Sequence, residues 1–455
     1  QNFMNDLNEQ LWRLGIPAKT EHNEVAPAQH ELAPIYESCN IATDHNQLMM
    51  EVMQKVAEKH DLVCLFHEKP FDGVNGSGKH NNWSIATDNG VNLLSPGKTP
   101  AENEQFLLFL TAVLKAVDDY QDLIRVAVAS AGNDHRLGAS EAPPAIVSVY
   151  LGSELSEILE AIKADSTYEA ASLTSMKLGV SALPTFQRDT TDRNRTSPVA
   201  FTGNKFEFRM LGSSDSTAIL NVMLNGAVAD TLRIFADELE NKEDLKKAIH
   251  ELVKREVNAH ERIMFNGNGY DDAWISEAEK RGLLNLKSTP DTIPYLLAEK
   301  NVSMLTGLGI YSESELHSRY AIQLETYCKT VLIEARTMTS LVIRDFIPAI
   351  DRYIWDLCEV IKDREAVVGD KVFGYEKELV RTLSELNGRM YTLADELKDI
   401  LADIKGSDLE DALMIKDSVI EKMAELRKTC DEAEKLCAKD YWPMPDYGDL
   451  MFSVD

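Results

Sequence analysis

Residues 73–84 read Gly-Val-Asn-Gly-Ser-Gly-Lys-His-Asn-Asn-Trp-Ser, and this stretch decides between two fold classes. Its first seven residues fit the GxxxxGK spacing of a phosphate-binding P-loop, which continues with Ser or Thr and then a helix. Here His80 follows the lysine, and the residues after it alternate in a way that predicts a strand. The sequence at this point therefore argues against a P-loop fold.

The predicted strand carries His80, Asn82 and Ser84 on one face, because side chains alternate along a strand. An imidazole beside polar neighbours, just past a Gly-rich turn, is typical of a metal site. Two glutamates upstream, Glu24 and Glu31, are further candidate ligands. One unbroken strand would point them to opposite faces, so we expect a break near Pro27, or two strands, that turns both inward.

Three more polar segments complete the candidate site. Asn133-Asp-His-Arg136 precedes a loop with Glu141, and an Arg there can clamp a carboxylate while a loop Glu can shield a site from water. The loop at 189–198 contains Arg193 and Arg195. Finally, a strand predicted at 204–210 alternates charged and aromatic residues, and its charged members are Lys205, Glu207 and Arg209.

The composition narrows the possible functions. The 455 residues carry a net charge of −28, with no basic run interleaved with aromatic residues, which argues against nucleic-acid binding. The six cysteines show no CxxC spacing, and no apolar run reaches eighteen residues. We therefore expect a reduced, cytoplasmic protein that neither spans a membrane nor is exported.

Apolar periodicity predicts the main elements. Helices are expected at about 44–61 and 102–127, and strands at 62–66, 143–150 and 204–210. Strand signals fade after about residue 215. A heptad seam from Leu379 to Ile404 and a second from Ala412 to Cys437 predict a long antiparallel helical hairpin, with Ser407 or Asp408 capping the return helix. A coiled coil that binds a partner is the alternative for this seam.

The ordered segments and their spacings resemble the glutamine synthetase family, and their wording is similar to its large bacterial type III branch. The resemblance runs from about Leu7 to Leu450. It implies an α+β fold, in which a curved, mostly antiparallel sheet flanked by helices precedes a helical C-terminal region. We place the catalytic domain at 1–330 and the helical region at 331–455.

The resemblance also implies roles for individual residues. The metal ligands would be Glu24, Glu31, His80 and Glu207. Glutamate would be held by Asn75, Gly76, Arg136 and Arg209. The nucleotide and the phosphoryl group in transfer would be contacted by Asn82, Ser84, Arg195 and Lys205. Catalytic roles fall to Arg136, Arg195 and the flap residue Glu141. Many family members have another phosphate-contacting arginine five residues after Arg195, where this chain has Ala200.

The implied reaction joins ammonia to L-glutamate at the expense of ATP, through a γ-glutamyl phosphate. Two or more Mg²⁺ or Mn²⁺ ions per site are expected, in a homo-oligomer of stacked rings, a dodecamer at full length. Family members begin with a small β-rich domain and a Glu-x-Glu strand, whereas this sequence opens at Gln1. We therefore expect a C-terminal portion that is inactive by itself.

Three alternatives stay open from the residues. A related γ-glutamyl ligase would use an amine other than ammonia. A P-loop NTPase would hydrolyse ATP without glutamate and would depend on Lys79. A non-catalytic assembly or regulatory subunit would bind no divalent metal through Glu24 and His80.

Overall fold

The computed structural model describes residues 1–139, 142–166, 168, 175–176, 186–187, 197–369, 374–406 and 408–452. The chain separates into two compact units, Gln1–His317 and Ser318–Asp455. Within the described residues helices dominate, and every strand lies in the first unit. The division of the chain at 330/331 stays a prediction, and that position lies inside a helix, Glu313–Leu341.

The described strands of the first unit form three small sheets. Their bounds are β1 (Ala18–Asn23), β2 (His30–Pro34), β3 (Gly78–Trp83), β4 (Val149–Tyr150), β5 (Ser175–Met176), β6 (Phe186–Gln187), β7 (Val199–Phe201) and β8 (Phe206–Gly212). Strands β1 and β2 pair antiparallel, as do β5 and β6. The largest sheet has the order β3-β8-β7-β4, in which only the β4–β7 pair is parallel.

The helices that accompany these strands are α1 (Asn2–Arg13), α2 (Cys39–Lys59), α3 (Glu104–Asp119), α4 (Gln121–Val126), α5 (Ala131–Arg136), α6 (Ser153–Lys163), α7 (Thr217–Leu239), α8 (Leu245–Ala259), α9 (Asp272–Lys280), α10 (Thr289–Thr292) and α11 (Glu299–Gly307). Side-chain caps start several of them: Asn103 accepts from the Phe106 amide at α3, and Ser130 from the Asn133 amide at α5. Helix α12 (Glu313–Leu341) runs from the first unit into the second.

The second unit continues with α13 (Ile347–Val368), α14 (Gly374–Ala402), α15 (Leu409–Met414), α16 (Ile420–Glu434) and α17 (Tyr447–Phe452). Helix α14 packs against α13 and α16. The heptad residues Leu383, Met390 and Leu397 are fully buried on α14. At α15 the Asp408 side chain accepts from the Asp411 amide, as predicted for one of the two candidate caps, and Ser407 lies outside the described residues.

Helix α7 is the core helix of the first unit. Among the described helices it alone is long and apolar enough, by composition, to cross a membrane, but half of that apolar window is buried inside the protein. It packs against α3, and two of its polar side chains bind the sheet: Asn221 accepts from Asn81 at 2.9 Å and Asn225 accepts from Trp83 at 2.8 Å. These contacts fix β3 on the core.

Two strand predictions were wrong or too long. The segment at 62–66 forms no strand, because no described strand pairs with it. Three of its apolar side chains are exposed: Leu62 by 52%, Val63 by 83% and Leu65 by 64%. Of the strand predicted at 143–150, only β4 pairs in the main sheet, although the whole segment is buried. The helix predicted at 102–127 is interrupted at Tyr120, where α3 ends and α4 begins.

Candidate functional site

The β1–β2 hairpin brings three possible metal ligands together. His22 on β1 pairs across the ladder with Glu31 on β2, and Glu24 follows two residues after His22, on the same side of the chain. One ligand atom from each residue lies within 4.8 Å of the other two. The His22 Nε2 atom is 2.6 Å from Glu24 Oε1 and 3.4 Å from Glu31 Oε2.

The turn between the strands explains how two glutamates seven residues apart converge. Glu24 and Gln29 are joined by a backbone hydrogen bond of 2.9 Å, and Ala28 has a positive φ of 56° within that turn. The chain therefore reverses between the two carboxylates, which is the two-strand arrangement that Pro27 suggested. The sequence did not single out His22, although its spacing of two from Glu24 was the available signal.

A second pair lies across the main sheet, where β3 meets β8. The His80 Nδ1 atom lies 3.0 Å from Glu207 Oε1, and Arg209 Nη2 lies 3.3 Å from Glu207 Oε2. The ladder between β3 and β8 shifts register around His80, because β8 has one extra residue there. Bulges of this kind redirect side chains, and this one places His80 beside Glu207.

The electrostatics tie the two pairs into one site. Burial, and then the hydrogen bond with Glu24, raise the pKa of Glu31, while the charge of His80 on the other sheet acts to lower it. Burial alone would raise the pKa of Glu207, but the hydrogen bond from His80 and the charge of Arg209 bring it down to about 2. Glu207 is thus a carboxylate at any physiological pH. His80 is therefore close enough to influence both Glu31 and Glu207.

The Gly-rich segment after residue 73 is bound to the hairpin. The Gln29 side chain donates to the Gly76 carbonyl and to the Ser77 hydroxyl, both at 2.9 Å. The Ser77 amide in turn donates to the Glu68 carbonyl at 2.8 Å. Asn75 and Gly76, the predicted substrate residues, therefore lie in a segment that is fixed from both sides.

Lys79 does not occupy the position of a P-loop lysine. Its ammonium group donates to the Asp215 carbonyl oxygen and lies 3.2 Å from the Met50 sulfur. Burial lowers the pKa of Lys79, with opposing contributions from Asp215 and Glu68. The amine is thus turned toward α2 and the end of β8, away from the exposed side of β3, which carries His80, Asn82 and Ser84.

Arg136, the predicted carboxylate clamp, is 4% exposed. Its guanidinium donates to the carbonyl oxygens of Arg209 at 3.0 Å, Leu211 at 3.3 Å and Met210 at 3.4 Å, and to Asn133 Oδ1 at 3.2 Å. Burial lowers the pKa of Arg136 to about 10, against the opposing charge of Glu68. The arginine therefore binds the backbone of β8 in this structure.

Three of the four predicted nucleotide residues, Asn82, Ser84 and Lys205, lie at or near the other end of β3. Ser84 donates to Asn92 Oδ1 at 2.8 Å and to the Asn204 carbonyl at 3.1 Å, and Asn82 is exposed beside it. Lys205 follows directly after Asn204. Ala200 is 1% exposed and pairs with Glu207 in the antiparallel ladder, so the two residues lie on the same face of the sheet. Glu141, Arg193 and Arg195 lie outside the described residues.

A second group of possible ligands lies elsewhere, at Asp118, Asp119 and His260. Cations already neutralise it: Arg262 Nε lies 2.9 Å from Asp118 Oδ1, and Lys115 lies 2.7 Å from Asp119 Oδ2. His260 is 2.7 Å from Asp118 Oδ2. We interpret this group as an ion-pair network that joins α3 to α8.

Comparison with known proteins matches two family profiles. "Glutamine synthetase, catalytic domain" matches residues 1–147, and "Glutamine synthetase C-terminal domain" matches residues 248–365. The chain is 47% identical to a glutamine synthetase of Butyrivibrio fibrisolvens, over 99% of the chain and 65% of the relative. It is 44% identical to a type-3 glutamine synthetase of Dictyostelium discoideum, over 98% of the chain and 62% of the relative.

A glutamine synthetase of Bacteroides fragilis (strain YCH46) is 41% identical, over 99% of the chain and 64% of the relative. The chain thus spans less than two thirds of the length of these relatives. A solved structure, "Apo GmaS without ligand", shares 16% identity at a TM-score of 0.37, over 66% of this chain and 61% of that one. That likeness is too weak to carry an argument.

Proposed function

Because the chain belongs to the glutamine synthetase family, we propose that the protein at its natural length makes L-glutamine from L-glutamate, ammonia and ATP. The γ-phosphoryl group of ATP would pass to the side-chain carboxylate of glutamate. Ammonia would then displace phosphate from the acyl phosphate. The family relationship and the arrangement of the candidate ligands both support this reaction.

The observation that carries the proposal is the electrostatic proximity of two ligand groups that come from different sheets. The charge of His80 opposes the burial that raises the pKa of Glu31, and its Nδ1 atom lies 3.0 Å from Glu207 Oε1, which supports a common site between the hairpin and the main sheet. Carboxylate oxygens and an imidazole suit Mg²⁺ or Mn²⁺. Glu24 and Glu31, joined by His22, would hold one ion, and His80 with Glu207 a second. Bound ions would neutralise phosphate and carboxylate oxygens.

The chain's own residues would divide the remaining work. Asn75 and Gly76 would hold the amino-acid substrate, Arg136 would bind a substrate carboxylate, and Arg209 would contact the γ-carboxyl end. Arg195 would face the negative charge that develops on the transferred phosphoryl group. Glu141 would cover the acyl phosphate against water and take a proton from ammonium. Asn82, Ser84 and Lys205 would contact the nucleotide.

The same proposal covers the larger organisation. The main sheet would belong to the curved, mostly antiparallel sheet of a catalytic domain at 1–330, and the seam of α14 with α15 and α16 to a helical hairpin within 331–455. We further propose a cytoplasmic homo-oligomer of stacked rings. Light scattering of the natural-length protein would test the assembly, with a monomer as the contradicting result.

The reaction is tested by measuring glutamine and phosphate formed by the natural-length protein, with ammonium compared against a panel of primary amines. We expect activity that requires glutamate, ATP and a divalent metal, with ammonium preferred. Preference for another amine would identify a different γ-glutamyl ligase. ATP hydrolysis that ignores glutamate would contradict the proposal.

The metal ligands are tested on the 455-residue chain itself by calorimetry with Mn²⁺. Binding of the second ion should be lost in His80→Ala, and both ions should be kept in His135→Ala, because His135 is exposed and has no assigned role. Binding unaffected by His80→Ala would remove His80 from the ligand set.

A further inference from the structure

Glu68 is a buried carboxylate that none of the predicted roles uses. It is 3% exposed, in the segment between α2 and β3. Its Oε1 atom accepts hydrogen bonds from the Ser214 amide at 2.8 Å and from the Ser214 hydroxyl at 2.5 Å. Its own carbonyl accepts from the Ser77 amide at 2.8 Å. One residue thus binds the Gly-rich segment through its backbone and the end of β8 through its side chain.

Three glycines approach Glu68 so closely that a side chain at any of them would collide with it. A Cβ on Gly132, in the first turn of α5, would come well within 3.0 Å of Glu68 Oε2. A Cβ on Gly212, at the end of β8, would come within 3.0 Å of Glu68 Oε1 and of Asp215 Oδ2. A Cβ on Gly76 would come within 3.0 Å of the Glu68 carbonyl. Glu68 therefore packs against three separate segments through glycines.

Glu68 lies near two buried cations, Arg136 and Lys79. Arg136 crosses beneath Gly76 and Gly78 and binds the carbonyls of β8. Burial lowers the pKa of Arg136 and the pKa of Lys79, and the negative charge of Glu68 acts to raise both. A buried cation without a nearby anion is strongly disfavoured, so Glu68 helps to keep both cations in place.

We propose that Glu68 is a positioning residue that fixes the segment of Asn75 and Gly76 at a set distance from β8. This inference rests on the proposed function, because it assigns that segment to the amino-acid substrate. Glu68 itself would not touch substrate. It acts through Ser77 on one side and through Ser214 and Arg136 on the other, and so aligns the substrate segment with Glu207 and Arg209.

Kinetics of the natural-length protein test the proposal, with Glu68→Ala and Glu68→Gln compared to Glu256→Gln. Glu256 is a matched control, because it is a buried, ion-paired glutamate that lies on α8, away from the Gly-rich segment. Glu68→Ala should raise the KM for glutamate about tenfold or more, with the KM for ATP within about twofold. Glu68→Gln should recover part of that loss, because its amide oxygen can still accept from Ser214.

An unchanged glutamate KM in Glu68→Ala, or equal changes in both KM values, would overturn the inference. Amide hydrogen exchange gives a second readout that needs no ligase activity. Glu68→Ala should speed exchange of the Ser77 and Ser214 amides about tenfold, and Glu256→Gln should not. Exchange unchanged at both amides would also refute the positioning role, whereas an inactive wild-type protein would refute only the proposed reaction.

Discussion

Gly78 lies directly against the guanidinium of Arg136, so that a Cβ at this position would come well within 3.0 Å of its Nη2, Cζ and Nε atoms. The arginine is buried and holds three carbonyls of β8, so it cannot move aside without breaking those bonds. Gly78 is thus required because the Arg136 side chain approaches its backbone closely. In a P-loop, the corresponding glycine is required because a phosphate approaches the backbone.

We predict that Gly78→Ala lowers the free energy of unfolding by about 1–3 kcal/mol, because the new methyl group overpacks a rigid site. Urea denaturation measures the change. Gly307→Ala is the control, since a Cβ on Gly307 would meet nothing within 4 Å at the end of α11. Equal stability of Gly78→Ala and wild type would mean that Arg136 yields easily.

The stability should depend on pH through Asp215. Burial, and then the charge of Glu68, raise the pKa of Asp215 from 3.8 to about 6. The folded protein therefore holds this proton more tightly than the unfolded chain, and it loses stability as the pH rises from about 4 to about 6. Above about pH 6 the buried, charged Asp215 continues to destabilise the folded protein.

Asp215→Asn removes this cost, so it should raise the free energy of unfolding by about 1–3 kcal/mol at pH 8 and leave it unchanged at pH 4. Asp237→Asn, at an exposed carboxylate of α7, is the control and should change stability by no more than about 0.5 kcal/mol at either pH. Destabilisation by Asp215→Asn at pH 8 would show that the carboxylate is needed in its charged form.

His22→Ala should weaken Mn²⁺ binding about tenfold or more, because His22 lies within ligand distance of Glu24 and Glu31. Calorimetry on the 455-residue chain measures this affinity. His317→Ala removes an exposed histidine at the end of the first unit and should have no effect. If His22→Ala binds Mn²⁺ as well as wild type does, the two glutamates suffice.

Lys79→Met should lower the free energy of unfolding by about 1–3 kcal/mol, because the Asp215 carbonyl loses its donor. The affinity for ATP should stay within about twofold of wild type, since the amine points away from the exposed side of β3. ATP titration of the natural-length protein tests this expectation. Loss of ATP binding without loss of stability would restore the P-loop alternative.

Leu397→Ala should cost about 2–5 kcal/mol, because this residue of α14 is fully buried and its removal leaves a cavity. Tyr391→Ala, at a 58% exposed position of the same helix, should cost much less. Thermal and urea unfolding measure both. Similar small losses would show that the seam adapts around the missing side chain.

Much of the architecture could be read from local pattern. The heptad spacing predicted a long helix at α14, which packs against α16, since a helix of this length is specified by which of its faces is apolar. The alternation of charged and aromatic residues predicted β8 within two residues. The segment at 62–66 is a continuous apolar run that predicted a buried strand, but no described strand pairs with it. Strand formation depends on such a partner.

The sequence by itself determined which residue types are available to the site and the order in which they occur, because its spaced motifs match those of the family. Tertiary structure alone decided that His22 joins Glu24 and Glu31, that a bulge brings His80 to Glu207, and that Lys79 and Arg136 turn inward. Each of these depends on strand register, a turn or burial among distant residues. Such relationships arise only when the chain folds, since spacing along a sequence does not specify distances between its segments.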